Sequence, residues 1–587
     1  MGRAAAKAPP PEQPSGKRTS AKAPPPEQPS GWSAARWPLV AVILAGVALR
    51  VAYLLDYRAH SVFWDAMLLD AEIYDAWARR IAEGDWLSGS DVFTLPPLYP
   101  YFLAVLYKVA GSSHVAVYVL QSMMGLANLY LIWSIGRKVF AGAVPLIAVA
   151  LAVLYGSFMF MESKLLSTTL ALTLGLSLMR LMLVAGEHQT LALWGACGLL
   201  LGVTALARPE TLLFAPLALW WILRVTRAPD RLVRRARTDQ FDLAGRQPWF
   251  AAAVFTAFVI IAVSPATMRN WVVTGDWSLS NLISSQAGIT FHQSNNPKAR
   301  GLYVFLDEEG FSGDPTAQAA EEKTLAEKAT GRPMKRSEVT RYWMNRGLDW
   351  IFANPGKFLL LEAKKLQRFL GSYEYSTEYI IYVERETVRT LWLCSLPFGV
   401  IAALGLIGIL ARFREKLDSP AMLLMAFVAA NFTVVMLFYV SSRYRMPSAP
   451  FLILFAGSAI DRLARGFRSP LRADRTEAWM FTAVALVLLG IFQSQVDQSA
   501  RVQEANVHYN AGNKYYGKQL FEEAVVEYRR AVAMDASNWR AYFNMGNTLG
   551  ERLNRPAEAI EAYRGVLRKN PGFAPAERQI RRFGEEP

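Results

Sequence analysis

In the stretch DAEIYDAWARRIAEG, an acid, a tyrosine and a tryptophan (Asp70, Tyr74, Trp77) stand at i, i+4 and i+7, and Gly84 closes the run. An aromatic-proline segment, TLPPLYPYF, follows and ends at Phe102. Carboxylates and aromatics just beyond an apolar run are suited to a general base in a pocket at the membrane edge. On a helix Asp70 and Tyr74 share a face while Glu72 and Asp75 point elsewhere, so only one of these acids can aim at a given point. The competing reading is a solvated amphipathic helix lying on the membrane. It suits Glu72, Asp75 and Glu83 better than Asp70, which starts the helix at the lipid boundary.

Four further groups of residues could do chemistry. Glu162 and Lys164 stand between two apolar runs in MESKLLSTTL, either as an ordinary polar turn or as a pocket rim. Arg208, in ALARPETLL, has Glu210 close by as a natural anionic partner. Arg443 and Arg445, in SSRYRMPSAP, flank the start of an apolar run. Paired guanidiniums there suit a phosphate, which they can hold in a bidentate way; the alternative is snorkelling to the interface. Arg269, with Asn270, directly follows another apolar run.

The elements that position these residues are membrane helices. The chain has 587 residues, 53% hydrophobic, with 17 Trp, which fits a membrane protein carrying soluble appendages. Eleven spans are expected, at 37–56, 114–136, 143–161, 165–185, 191–207, 211–226, 249–266, 390–410, 420–440, 447–461 and 478–494. The apolar piece 97–110 is short and opens on Pro-Pro, so it reads as a juxtamembrane or re-entrant helix. The net charge of +15 sits in short loops between apolar runs, which is a topology signal rather than a nucleic-acid one. Segment 224–248 holds seven arginines and 462–477 holds five. With eleven spans these basic loops share the cytoplasmic side with the N-terminus. The loops 57–113 and 267–389, the outer arginines and the C-terminal region then fall on the outer face.

Residues 1–36 repeat AKAPPPEQPSG and cannot bury a core, which marks a disordered cytoplasmic tail. Beyond the last span, Gly512 and Gly546 are each followed by an Ala/Tyr pattern (Ala524, Tyr528, Ala531; Ala559, Tyr563). The pattern resembles the tetratricopeptide repeat, with about one residue inserted in the second copy. The expected domains are therefore the tail 1–36, a transmembrane domain 37–500 and a repeat domain 501–587, all α-helical. Cys197 and Cys394 lie in apolar runs, and the five His residues are scattered. Neither set has metal-ligand or disulfide spacing.

Taken together, DAEIYDAWARRIAEGDW with PPLYPYFLAVLY, ALARPETLLF, MRNWVVTGDW, SNNPKARGLY and SSRYRMPSAPFLIL resembles the GT-C membrane glycosyltransferases. That group includes the protein O-mannosyltransferases, the lipid A aminoarabinose transferases and the RgtA/B/C/D-like proteins. The resemblance spans about residues 37–465. It implies a sugar donor on polyprenyl phosphate, transfer on the outer face of a bacterial inner membrane, and inversion at the anomeric centre. It matches Asp70 to the family's first acid and base, and Tyr74 to its aromatic position. The second acid is replaced by Ala71, with Glu72 one place later as a helper alongside Tyr74 and Glu162. Donor phosphate would fall to Arg443, Arg445, Arg269 or Lys164. No protein metal site is expected, although a divalent ion held partly by donor phosphate is compatible with the pattern. The repeats would recruit a protein partner or acceptor. Two other classes of function compete: a scaffold whose spans only anchor the repeats, and a lipid or sugar transporter. The transporter would need inverted repeats and mid-membrane charges, which the sequence does not display.

Overall fold

The computed structural model describes residues 32–227, 248–306, 309–312, 317–414, 418–493, 498–584 and 586. The expected N-terminal tail therefore lies almost wholly outside the described residues, as does most of the arginine-rich loop 224–248. The fold is all-α, and among the described residues the sole β feature is an isolated bridge between Tyr155 and Ser395.

The first span, α1 (Trp32–His60), leads through a short turn to α2 (Asp70–Glu83) and α3 (Leu98–Ala110). The bundle continues with α4 (His114–Val139), α5 (Val144–Leu154), α6 (Gly156–Glu162), α7 (Thr168–His188), α8 (Leu191–Ala207), α9 (Ala215–Arg227) and α10 (Pro248–Thr274). The second long loop folds as α11 (Ala287–Ser294), α12 (Gln318–Thr330), α13 (Arg336–Ala353), α14 (Pro355–Leu370) and α15 (Ile381–Glu384). Next come α16 (Phe398–Arg414), α17 (Ser419–Leu437), α18 (Ser442–Arg445), α19 (Ala449–Arg468) and α20 (Arg472–Phe492). The C-terminal region is α21 (Gln498–Gly517), α22 (Phe521–Met534), α23 (Trp539–Asn547), α24 (Pro556–Lys569) and α25 (Ala574–Arg582).

Six helices are long and apolar enough to cross a membrane: α1 from Trp37 onward, α4, α7, α10, α17 and α20. The chain thus has multi-pass membrane character. The other expected spans are also helices, but shorter or more polar, so eleven stays an expectation rather than a count. Two are trimmed for a visible reason. The span expected at 143–161 breaks at Tyr155 into α5 and α6, and the one expected at 390–410 becomes helical only from Phe398. There the Gly156 amide donates to the Cys394 carbonyl at 3.2 Å, and the Leu396 amide donates to the Leu154 carbonyl at 3.1 Å. The backbones approach so closely that a methyl group on Gly156 would run into the Cys394 carbonyl. Pairing with each other replaces one turn of helix in both segments. The piece 97–110 is the 13-residue helix α3. At 1.5 Å per residue it reaches about 20 Å, short of a ~30 Å hydrocarbon layer.

Helix contacts sort the polar residues to two ends. At one end Lys138 pairs with Glu187, and Arg412 bonds both Asp418, at 3.1 Å, and the Val139 carbonyl. At the same end Arg414 and Arg462 both reach Glu477. The described parts of the basic loops 137–142, 186–190, 411–419 and 462–477 are thereby gathered together. The start of α2, the C-terminal ends of α8 and α17 and the start of α19 lie at the opposite end.

The C-terminal helices form two antiparallel pairs. Gly512 faces the Tyr528 ring and Gly546 faces the Tyr563 ring, so closely that a methyl group at either glycine would meet the ring within 3 Å. The second pair carries the extra residue noted in the sequence. A wide turn at Thr548–Arg552 absorbs it, with the Leu553 amide reaching back five residues to the Thr548 carbonyl at 3.1 Å.

Candidate active site

Helix α2 starts abruptly. Leu69 holds φ +49°, a conformation that a branched side chain adopts only under constraint, and it sets Asp70 at the first helical position. Ala71, Tyr74, Trp77, Ala78 and Ile81 are buried along α2. Tyr74 packs edge-on against Tyr99 of α3, with ring centroids 5.1 Å apart. Asp75 also faces inward, held by Tyr107 Oη at 2.5 Å, Arg79 Nε at 2.8 Å and His114. Burial opposes its ionisation, but the hydrogen bonds from His114, Arg79 and Tyr107 outweigh that and hold its carboxyl well below the usual carboxylate range. Asp75 therefore fixes the fold of the loop, and Asp70 is the acid of α2 that faces open space.

That space is a cavity of about 1510 Å³. Its walls include Asp70 and Tyr74 from α2, Arg208 from the end of α8, Tyr303 from the second long loop, Glu378, and Arg443 of α18. Arg443 Nη1 lies 2.8 Å from Asp70 Oδ2 and 2.7 Å from Glu378 Oε1. Both ion pairs run through one nitrogen of a group that carries five N–H donors. Glu378 is 3% exposed. Burial raises its carboxyl well above the usual range, Arg443 offsets part of that, and the neighbouring Asp70 carboxylate adds to it. Arg443 thus holds both acids, Asp70 and the buried Glu378, on one guanidinium, and burial favours the neutral form of the Glu378 carboxyl. Arg208 meets Glu210 at 3.2 Å and Thr168 Oγ1 at 3.3 Å, and stacks over Tyr444.

Of the residues singled out in the sequence, Asp70, Tyr74, Arg208 and Arg443 come together in this cavity, and Glu72, Glu162, Lys164, Arg269 and Arg445 are placed elsewhere. Glu72 lies on the exposed side of α2 and pairs with Lys514 of α21. Glu162 is buried against Arg50 of α1, at 2.6 and 2.7 Å. Lys164 is buried against Glu384 at 2.9 and 3.0 Å, with the Tyr57 ring 4.0 Å from its ammonium. Arg269 binds the carbonyls of Leu87, Ser88, Gly89 and Asp91 and stacks on Phe93, which clamps the first long loop. Arg445 is fully buried, donating to the carbonyls of Arg368, Phe369, Gly371 and Tyr373 and pairing with Glu374 at 2.8 Å. Glu162, Lys164, Arg269 and Arg445 are thus engaged in holding backbone or buried acids. Glu378 is the residue that sequence reasoning missed. Its signal was the doubled Glu-Tyr in GSYEYSTEY, which has the same acid-aromatic character as the segment around Asp70.

A metal ion finds no ready protein cage, since among the described residues no three of His, Cys, Asp and Glu converge. Between Asp70 and Glu378, where two carboxylates face one another, the positive group is the Arg443 guanidinium.

Residues 94–237 match the family described as dolichyl-phosphate-mannose-protein mannosyltransferase, and residues 512–551 match the TPR repeat. No curated protein matches the chain. Among solved structures, the archaeal oligosaccharyltransferase AglB from Archaeoglobus fulgidus, in complex with an inhibitory peptide and a dolichol-phosphate, aligns at 13% identity and TM-score 0.38. The alignment covers 82% of this chain and 59% of that one. The same archaeal enzyme complexed with Zn and sulfate aligns at 15% identity and TM-score 0.42, over 82% of this chain and 56% of that one. The chain thus spans less than three fifths of the archaeal enzyme's length. ArnT from Cupriavidus metallidurans bound to undecaprenyl phosphate aligns at 15% identity and TM-score 0.42, covering 90% of this chain and 75% of that one.

Proposed function

We propose that the chain is a membrane glycosyltransferase that moves a sugar from a polyprenyl-phosphate donor to an acceptor hydroxyl. The observation that carries this reading is the Asp70–Arg443–Glu378 triad on the wall of a large cavity at the end of the bundle away from the basic loops. The family match over residues 94–237 supports a lipid-phosphate sugar as donor.

The chemistry follows from the groups present. The acceptor oxygen attacks the anomeric carbon, its bond to the phosphate oxygen breaks, and polyprenyl phosphate leaves. The leaving group is already an anion and needs charge stabilisation more than a proton, which Arg443 supplies. The acceptor proton goes to Asp70, the acid at the start of α2 that lines the cavity. Attack opposite the departing phosphate inverts the anomeric centre. Glu378 fixes the Arg443 side chain, so that the guanidinium can turn from Asp70 to phosphate when donor enters. Tyr74 braces the first turn of α2.

The same reading puts the basic loops in the cytoplasm of a bacterial cell and the cavity on the outer face of its inner membrane. It divides the chain into a tail 1–36, a catalytic membrane domain 37–500 and a repeat domain 501–587. The test is genetic and chemical. A strain lacking the protein should accumulate a polyprenyl-phosphate-linked sugar, and expression of the wild type, but not of Asp70→Asn, should clear it. Unchanged lipid-linked sugars in the deletion strain would overturn the reading.

A further inference from the structure

The repeat domain is not held at a distance from the cavity. Helix α21 packs its Val507 and Ala511 into the main core of the membrane domain. It is tied down by Glu504 to Tyr373 Oη, Lys514 to Glu72, and Lys518 to Asp65 at 3.7 Å. In the following helix Arg530 reaches Glu386 at 3.1 Å. These contacts fix which face of α21 looks into the cavity. That face is Gln503, Asn506, Tyr509 and Asn510, at i, i+3, i+6 and i+7, joined by Arg540 of α23.

The second long loop connects this wall to the triad. Tyr303 and Phe305 stand two residues apart on an irregular segment that lines the same cavity. Tyr303 lines the same cavity as Asp70, and Phe305 lies under the Arg540 guanidinium at 5.6 Å. Two residues of extended chain span only ~7 Å, so the repeat wall is within reach of whatever sits at Asp70. Gln503 is 8% exposed, and its Oε1 has no hydrogen-bond partner among the described residues. A buried carboxamide oxygen left without a partner carries a desolvation penalty that a ligand N–H would remove.

Building on the glycosyltransferase reading, we infer that this face of α21, with Arg540, is the acceptor subsite, and that its occupant is an extended polypeptide segment. Three carboxamides in one row each offer a donor and an acceptor, which matches the alternating N–H and C=O groups of an extended backbone. Tyr509 adds an aromatic face and Arg540 a positive charge. Paired repeat helices present such elongated surfaces as a rule. The repeat domain would then be one wall of the active site, and would set which hydroxyl reaches Asp70.

The experiment uses the full chain in lipid nanodiscs and two probes: a fluorescein-labelled pool of Ser/Thr-containing 12-residue peptides, and undecaprenyl phosphate. Wild type should bind the peptide pool. Asn506→Ala/Asn510→Ala should raise the peptide Kd at least tenfold, while thermal stabilisation by undecaprenyl phosphate stays as in wild type. As a second readout that needs no loss of function, p-benzoylphenylalanine replaces Asn506 or, outside the cavity wall, Lys569. Light should crosslink peptide to position 506 and not to position 569. Peptide affinity unchanged by the double substitution, no peptide binding by wild type, or crosslinking of glycan or lipid in place of peptide would each overturn the inference. Asparagine-dependent peptide binding without any response to undecaprenyl phosphate would sustain the subsite and contradict the donor assignment instead.

Discussion

Asp70 and Arg443, 373 residues apart in the chain, meet at 2.8 Å through Oδ2 and Nη1 on the wall of the cavity. One nitrogen thereby ties the first turn of α2 to the segment between α17 and α19, and Glu378 binds the same nitrogen from a third segment. Asp70, Arg443 and Glu378 are thus fixed relative to one another by three separate parts of the fold.

Arg443 and Arg445 should fail differently when replaced. Arg443→Lys keeps a charge but loses the planar fork, and transfer should fall by about 10²-fold or more, with the unfolding temperature little changed. Arg445→Lys removes the fork that holds four carbonyls and Glu374, so its main effect should be on folding. Leaving a buried acid poorly paired costs about 3–5 kcal/mol. Parallel assays of transfer and of detergent-solubilised thermal unfolding separate the two.

Glu378→Gln should retain most of the activity, because burial favours the neutral form of the native carboxyl and the amide is a neutral group of the same shape. Glu378→Ala, which removes the fixed partner of Arg443, should lose activity by about 10-fold or more. Equal activity of the Gln and Ala variants would show that Glu378 does not position Arg443.

The sequence made Asp70 legible because a single acid at the start of an amphipathic helix, just past a span, has few structural duties. It could not separate Arg443 from Arg445. Their i, i+2 spacing is shared, yet the short helix α18 turns one toward Asp70 and the other toward the carbonyls at the end of α14. Lys164 was ambiguous for a similar reason. Its ion partner Glu384 lies 220 residues away, and no local pattern announces a buried pair. The membrane helices were read well in their middles and poorly where ends pair with each other, as at Tyr155 and Ser395. The repeat unit was visible by its 34-residue period, but its docking onto the cavity depends on scattered long-range contacts that have no period.

Gly125 is needed by an ion pair it does not belong to. A methyl group there would land inside the Glu162 carboxylate, forcing it away from Arg50. Gly125→Ala should lower stability by about 3–5 kcal/mol, the usual penalty for breaking a buried pair. Gly46→Ala, whose methyl group would press on the flexible end of Leu129 at 3.1 Å and make ordinary contact with Arg50 at 3.5 Å and Val153 at 3.6 Å, should be far milder. Thermal unfolding of the two variants side by side makes the comparison.

The second long loop should make stability depend on pH. Glu322 is buried against Arg336 at 2.9 Å, and burial raises its carboxyl to about 7 despite the arginine. The unfolded glutamate titrates near ~4.3, so between ~4.3 and ~7 the folded state keeps a proton that the unfolded state has released. That contribution is fully present below ~4.3 and is lost as pH rises through ~7. Glu322→Gln should flatten this decline in unfolding midpoints measured from pH 4 to 8.

The central claim rests on Asp70 as the base, and transfer by the purified protein from a polyprenyl-phosphate-linked sugar tests it most directly. Asp70→Asn preserves size and a hydrogen bond from Arg443 but cannot take the acceptor proton. It should lose about 10²–10⁴-fold in rate, the usual worth of a general base, with insertion and thermal unfolding as in wild type. Transfer by Asp70→Asn within a few-fold of the wild-type rate would contradict the account.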